Sequence, residues 1–126
     1  GPVFAAGIVA EIGDITKFNN QAALAKYAGL TWRKNQSGNF TACETFMTKT
    51  GNKYLRYYLL EATNSILKHN AEYYAFYRKK YDEALLHKHK RALALTSRKL
   101  VRLIFALLRN NQLYTSNTEA DIEKTS

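Results

Sequence analysis

Apolar residues along the chain fall at helical spacing in several stretches, broken by one long polar interval. Residues 2–12, PVFAAGIVAEI, predict a short helix with Pro2 near its first turn, where a missing N–H costs little. Gly13-Asp14 ends it. Residues 20–28 predict a second short helix, with Asn19 or Asn20 as N-cap and Gly29 as the stop. A third helix is predicted from near Gly51, with Thr50 as a plausible cap. Its apolar positions are Tyr54, Leu55, Tyr58, Leu59, Ala62 and Ile66. Asn70 is placed to cap a fourth helix carrying Tyr73, Tyr74, Phe76, Tyr77 and Tyr81. A fifth, roughly His87 to Asn110, has the stripe Leu93, Leu100, Ile104, Leu107 and Leu108.

Between the second and third helices, residues 30–50 have no helical period. Thr, Asn, Gly and Ser dominate, which predicts a loop or a short hairpin. The expectation is an all-α fold of about five helices with one irregular insertion after helix two. Residues 1–112 form one domain, and 113–126 a polar, acidic tail expected to be disordered.

Composition supports a packed fold and adds a charge signature. The chain has 126 residues, 46% of them hydrophobic, enough for a modest core. One proline and six glycines favour long helices. The formal charge of +9 is concentrated between residues 31 and 112, the footprint of a phosphate-backbone binder or of a basic soluble surface. A single cysteine, Cys43, excludes an intramolecular disulfide and fits a reducing, cytoplasmic setting. No apolar run reaches transmembrane length, so no membrane partner is expected. The Gly1-Pro2 start predicts either a fragment of a longer protein or a scar of tag removal.

Three constellations bear on chemistry. Ser37-Gly38 lies in a segment carrying Arg33, Lys34, Lys49, Lys53 and Arg56. A serine beside a flexible residue and ringed by cations suits a phosphodiester nucleophile, and the same pattern suits any basic loop. A serine hydroxyl needs a base or metal to activate it, and no His or Asp adjoins Ser37. On the fifth helix Arg91, Arg98, Arg102 and Arg109, spaced 7, 4 and 7, line one face, with Lys99 and Lys88 nearby. No acid lies four residues from Arg98 or Arg102, so the stripe is not neutralised within the helix. It reads as a solvated face or as a grip on phosphate. Residues 73–81, YYAFYRKKY, read first as a core stripe and second as a base-stacking surface. His87-Lys88-His89 fails as a nuclease motif, because histidines two apart do not share a helix face. There is no paired-Cys zinc spacing and no Walker-type loop.

The blocks GPVFAAGIVAEIGD, FNNQAALAKYAGL, RKNQSGNF and TKTGNKYLRYYLLEA, in that order, resemble one family. They are similar to the C-terminal domain of the insertion-sequence one-ten (one-sixteen, nine-oh-two) transposases, over residues 1 to about 112. The resemblance implies a site-specific DNA recombinase that carries out DNA transposition. Its serine, falling on Ser37, attacks DNA and forms a covalent phosphoserine link. A separate RuvC-like domain, absent here, would hold Mg²⁺ on an acidic tetrad. No cofactor or metal is expected in this domain, and the isolated chain is expected to be inactive. The implied partners are DNA, a structured bridge RNA and further copies of the enzyme, on the nucleoid of a bacterial cytoplasm. The start of the chain would belong to a helix-hairpin-helix-like element, which makes Gly1-Pro2 native.

On that reading Gly38 lets the backbone approach DNA closely. Lys49, Lys53 and Arg56, with Arg33 and Lys34, neutralise phosphate charge. Asn52 belongs to the same motif, and Arg98, Lys99 and Arg102 hold the nucleic-acid backbone. The alternative is a non-catalytic DNA- or RNA-binding and oligomerisation module in which Ser37 merely sits in a turn.

Overall fold

The structure, a computed structural model, describes residues 2–32, 47–48 and 50–125, with side chains over 3–32 and 50–111. It is all-α: α1 (Pro2–Ile12), a 3-10 turn (Ile15–Lys17), α2 (Gln21–Tyr27), α3 (Lys53–Leu67), α4 (Ala71–Glu83) and α5 (Lys88–Thr125). Two short strands, β1 (Thr31–Trp32) and β2 (Met47–Thr48), pair antiparallel between α2 and α3, with Thr31 opposite Thr48 and Trp32 opposite Met47. The described part of the insertion is thus the base of a hairpin.

Short polar side chains set most helix starts. Asn20 accepts from the Ala23 N–H at 2.9 Å and Asn70 from the Tyr73 N–H at 3.0 Å, each relieving an orphan donor of a first turn. The third helix differs from the sequence expectation. Its cap is Asn52, not Thr50, because the Asn52 carboxamide oxygen accepts from both Tyr54 and Leu55 N–H at 2.9 and 3.0 Å.

α5 also departs from expectation, its backbone being helical to Thr125 rather than stopping near Asn110. No glycine or proline occurs between Lys88 and Thr125, so no residue type forces a stop. At about 1.5 Å per residue the helix is about 57 Å long.

The core gathers Ile8 and Ile12 of α1, Ile15, Phe18, Leu24, Leu30, Leu55 and Leu59 of α3, Tyr73 of α4, and Leu100 and Val101 of α5. α1 lies close on α3, since a Cβ on Gly7 would stand 2.9 Å from the Tyr58 ring. Both expected stripes face the core for most of their length, with Tyr58, Ala62 and Ile66 of α3 and Ile104 and Leu108 of α5 packed against it, and each has one outward exception. On α3 Leu55 and Leu59 are buried while Tyr54 is exposed. On α5 the buried residues are Ala92, Ala94, Thr96, Ser97, Leu100 and Val101, with Leu107 exposed. Small side chains let the first half of α5 approach its neighbours closely and widen the inward face that Leu100, Ile104 and Leu108 form.

Where α3 meets α5, two hydroxyls are fully buried. Thr63 Oγ1 donates to the Leu59 carbonyl at 2.7 Å and lies 2.8 Å from Ser97 Oγ. The one threonine proton goes to Leu59, so Ser97 donates to Thr63. Thr63→Val removes that acceptor and is expected to cost about 1–2 kcal/mol. Adding Ser97→Ala should recover part of the loss, because the orphaned donor goes with it. Urea melts of the single and double variants check this, and purely additive losses would contradict the pairing.

Candidate nucleic-acid interface

α2 ends in a Schellman motif. Gly29, at φ 72°, sends its N–H to the Lys26 carbonyl at 2.9 Å, and Leu30 sends its own to Ala25 at 2.9 Å. Three further carbonyls at this end find donors from elsewhere in the fold. Tyr27 O accepts from the Asn52 N–H at 2.7 Å, Ala28 O from Arg56 Nη1 at 3.4 Å, and Leu30 O from Arg98 Nη1 at 3.5 Å. Cations at a helix C-terminus also complement its dipole. The start of α3 and the middle of α5 therefore fix the chain as it leaves α2 for β1.

The approach of α3 to α2 explains the Gly51-Asn52 pair. Gly51 has φ 113°, and a Cβ there would fall within the van der Waals envelope of the Tyr27 carbonyl oxygen and 3.1 Å from that of Lys26. Asn52 follows with every polar atom of its side chain engaged. Its oxygen caps α3, and its amide donates to Glu11 Oε2 at 2.8 Å and to the Tyr27 hydroxyl at 3.2 Å. One carboxamide thus ties α1, α2 and α3 together.

β1 and β2 make residues 33–46 leave and return at one root. Arg56 and Arg98 hold carbonyls two residues apart beside it. Arg91 of α5 lies over the Trp32 ring at 5.3 Å, and Lys53 is exposed at the first position of α3, over the Tyr54 ring at 5.3 Å. Three cations from two helices, Arg56, Arg91 and Arg98, therefore lie at the base of the segment that contains the Ser-Gly pair.

The family model for the transposase IS116/IS110/IS902 family matches residues 1–78, more than half of the chain. The chain belongs to this transposase family. The transposase chain is also similar to the insertion element IS116 uncharacterized 44.8 kDa protein of Streptomyces clavuligerus, 30% identical over 115 residues. That match covers 91% of this chain and 28% of the relative, so the chain spans less than a third of the curated protein it resembles. No solved structure matches it.

Of the transposase residues singled out from sequence, Arg33, Lys34, Ser37, Gly38 and Lys49 lie outside the described residues. The others divide by their surroundings. Asn52 is bonded within the fold, and Arg56 holds Ala28. Arg98 is partly buried, and burial, followed by the neighbouring Arg102 charge, lowers its guanidinium pKa from the ordinary value. Among the described residues its Nε has no hydrogen-bond partner. Lys99 pairs with Glu72 at 3.3 Å and lies 5.3 Å from the Tyr73 and Phe76 rings, which ties α5 to α4. Arg102 is exposed one turn beyond Arg98, with no ion pair among the described residues.

Sequence spacing gave the arginine stripe a common face without showing what the face packs on. Arg109, at its far end, donates to the Phe18 carbonyl at 3.1 Å and covers Phe105. The Arg91–Trp32 contact at the root joins residues far apart in the chain, and neither alone carried a signal for it.

No helix among the described residues is long and apolar enough to cross a membrane. No group of three or more His, Cys, Asp or Glu among them is placed to hold a metal ion.

Proposed function

We propose that this chain is the serine-bearing half of the catalytic machinery of a DNA-recombining transposase. Family membership and the cation-ringed root of residues 33–46 support the reading, and the root is the observation that carries it. In the proposed step Ser37 Oγ attacks a phosphodiester phosphorus. An Oγ–P bond forms, the bond from phosphorus to one sugar oxygen breaks, and that oxygen takes a proton. The hydroxyl proton passes to a base outside the described residues. Lys53 and Arg56, with Arg33, Lys34 and Lys49, offset the charge that builds on the phosphate oxygens. Arg102 and Arg98 hold the backbone further along, while Lys99 and Asn52 act by positioning α5 and α3. Gly38 admits the DNA backbone beside the serine.

The reading assigns Mg²⁺ to a RuvC-like domain outside this chain, as the family resemblance implies. It also assigns target choice to a structured RNA that pairs with DNA, and catalysis to an oligomer in which the two half-sites meet, acting on the nucleoid. The second reading, a non-catalytic DNA- or RNA-binding and oligomerisation module, draws on the internal engagement of Asn52, Arg98 and Lys99.

The two readings separate on one measurement. A protein carrying this chain together with the RuvC-like domain is incubated with labelled substrate DNA and then denatured. A covalent adduct is expected, and peptide mapping is expected to place the nucleotide on Ser37. An adduct on another residue, or none while recombination proceeds, would overturn the serine assignment.

A further inference from the structure

The aromatic run of α4 is not the core stripe its spacing suggests. Tyr73 alone among its tyrosines is buried. Tyr74 is 50% exposed, and Tyr74, Tyr77 and Tyr81 form a row along the helix, with ring centroids 6.3 and 6.0 Å apart. His89 of α5 extends the row sideways, its Nδ1 lying 2.7 Å from the Tyr77 hydroxyl and its ring edge-on to Tyr77 at 5.8 Å.

Cations border this row. Arg78 and Lys88 lie over the Tyr81 ring at 4.9 and 5.6 Å. Between Tyr74 and Arg91 the chain has six Lys and Arg against two acids. Those acids pair with Arg78 at 3.5 Å and Lys80 at 3.3 Å, all at exposed or half-exposed positions. Among the described residues Lys79, Lys88, Lys90 and Arg91 have no ion pair. Lys88, Lys90 and Arg91 also occupy the first turn of α5, which has no acid, so they oppose the helix dipole and reduce helix stability. Lys88 and Arg91 face aromatic rings instead of carboxylates.

Lys88 and Arg91 are one turn apart on α5, with Lys88 over Tyr81 and Arg91 over Trp32. The aromatic row is therefore continuous, through two cations, with the root of residues 33–46.

We propose that the Tyr74–Tyr77–Tyr81 row of α4, with Lys88 and Arg91 of α5, is a platform for single-stranded nucleic acid that leads to the Trp32 root. Tyr74 offers an exposed ring on which an unpaired base of any identity can stack, with the half-buried Tyr77 and Tyr81 beside it, and flanking cations follow the phosphates. In a duplex the base faces are already stacked on one another, so the rings favour unpaired strands. The platform extends the recombinase reading, on which its ligand class rests, to a surface remote from the serine in sequence. It suits a protein whose proposed cycle opens DNA and pairs it with RNA.

The test uses the 126-residue chain and three fluorescein-labelled oligonucleotides of one sequence at fixed salt: single-stranded DNA, single-stranded RNA and duplex DNA. Anisotropy titration is expected to show both single strands binding more tightly than the duplex. Tyr74→Ala, at a half-exposed site, should weaken single-strand binding about tenfold and duplex binding far less. Lys88→Gln with Arg91→Gln should weaken all three ligands. Circular dichroism at the helical minimum establishes that each variant is folded.

The platform is overturned if folded Tyr74→Ala and Tyr81→Ala variants bind single strands as the parent does. It is equally overturned if the parent prefers duplex, or binds none of the three. Adduct formation at Ser37 is a separate readout, so either proposal can fall without the other.

Discussion

Replacing Ser37 with alanine, in a protein carrying both this chain and the RuvC-like domain, is expected to abolish strand exchange and leave DNA binding almost intact. The loss should be on the order of 10³-fold or more, because a covalent intermediate has no route without its nucleophile. The methyl side chain of alanine fits wherever serine does, and the surrounding cations are untouched. Affinity for DNA, dominated by phosphate contacts, should therefore shift by less than about threefold. Recombination on a plasmid substrate and a gel-shift titration measure the two sides. Strand exchange at the parent rate would refute the assignment. Equal loss of binding and exchange would move Ser37 from chemistry to DNA positioning.

A Gly51→Ala substitution is expected to produce the largest loss of stability of any methyl added at a described glycine. Two costs combine. At φ 113° an L-residue is strained by about 1–3 kcal/mol. The new Cβ also collides with the Tyr27 carbonyl oxygen, a backbone atom that no rotamer change can move aside. Relief requires the start of α3 to separate from the end of α2, which breaks the Asn52–Tyr27 bond and strains the Asn52–Glu11 one. A loss of about 3 kcal/mol or more follows, a fall in Tm of about 10 °C or more for a domain of this size. Thr50→Ala is the matched control. Thr50 is exposed and does not cap α3, so its loss should lie within about 0.5 kcal/mol. Thermal melts followed by circular dichroism distinguish them, and comparable melting temperatures would contradict the close α2–α3 junction.

The contrast between Gly51 and Thr50 also marks what sequence could tell. Helix existence and most ends were legible, because Gly13, Gly29, Asn20 and Asn70 act through local geometry that their residue types carry with them. The start of α3 was misplaced by two residues because Thr and Asn are both good caps. The choice between them is made by α2 lying alongside, which is a tertiary fact. The inward face of α4, and the small-residue half of that of α5, escaped the sequence for a related reason. Tyr and Leu at helical spacing specify a stripe, but the small residues Ala92, Ala94, Thr96 and Ser97 decided which side of α5 could come close. As for the site, charge clustering around Ser37 was visible in composition. The proposal that it is the nucleophile rests on resemblance, since no residue adjoining it in sequence supplies an activating base. The root formed by Arg56, Arg91 and Arg98 joins segments up to 68 residues apart and had no sequence signature.

The carbonyl-holding arginines have a thermodynamic consequence. Each phosphate that a protein neutralises releases close to one condensed counterion from duplex DNA, and the salt dependence of affinity counts those events. Arg56, Arg98 and Arg109 direct guanidinium N–H groups at Ala28, Leu30 and Phe18, and Lys99 faces Glu72. To grip a phosphate with these groups the chain must share or surrender bonds that hold its helices in place. The number of ions released on binding should therefore fall short of the formal charge of +9, and that charge is partly an internal fastening.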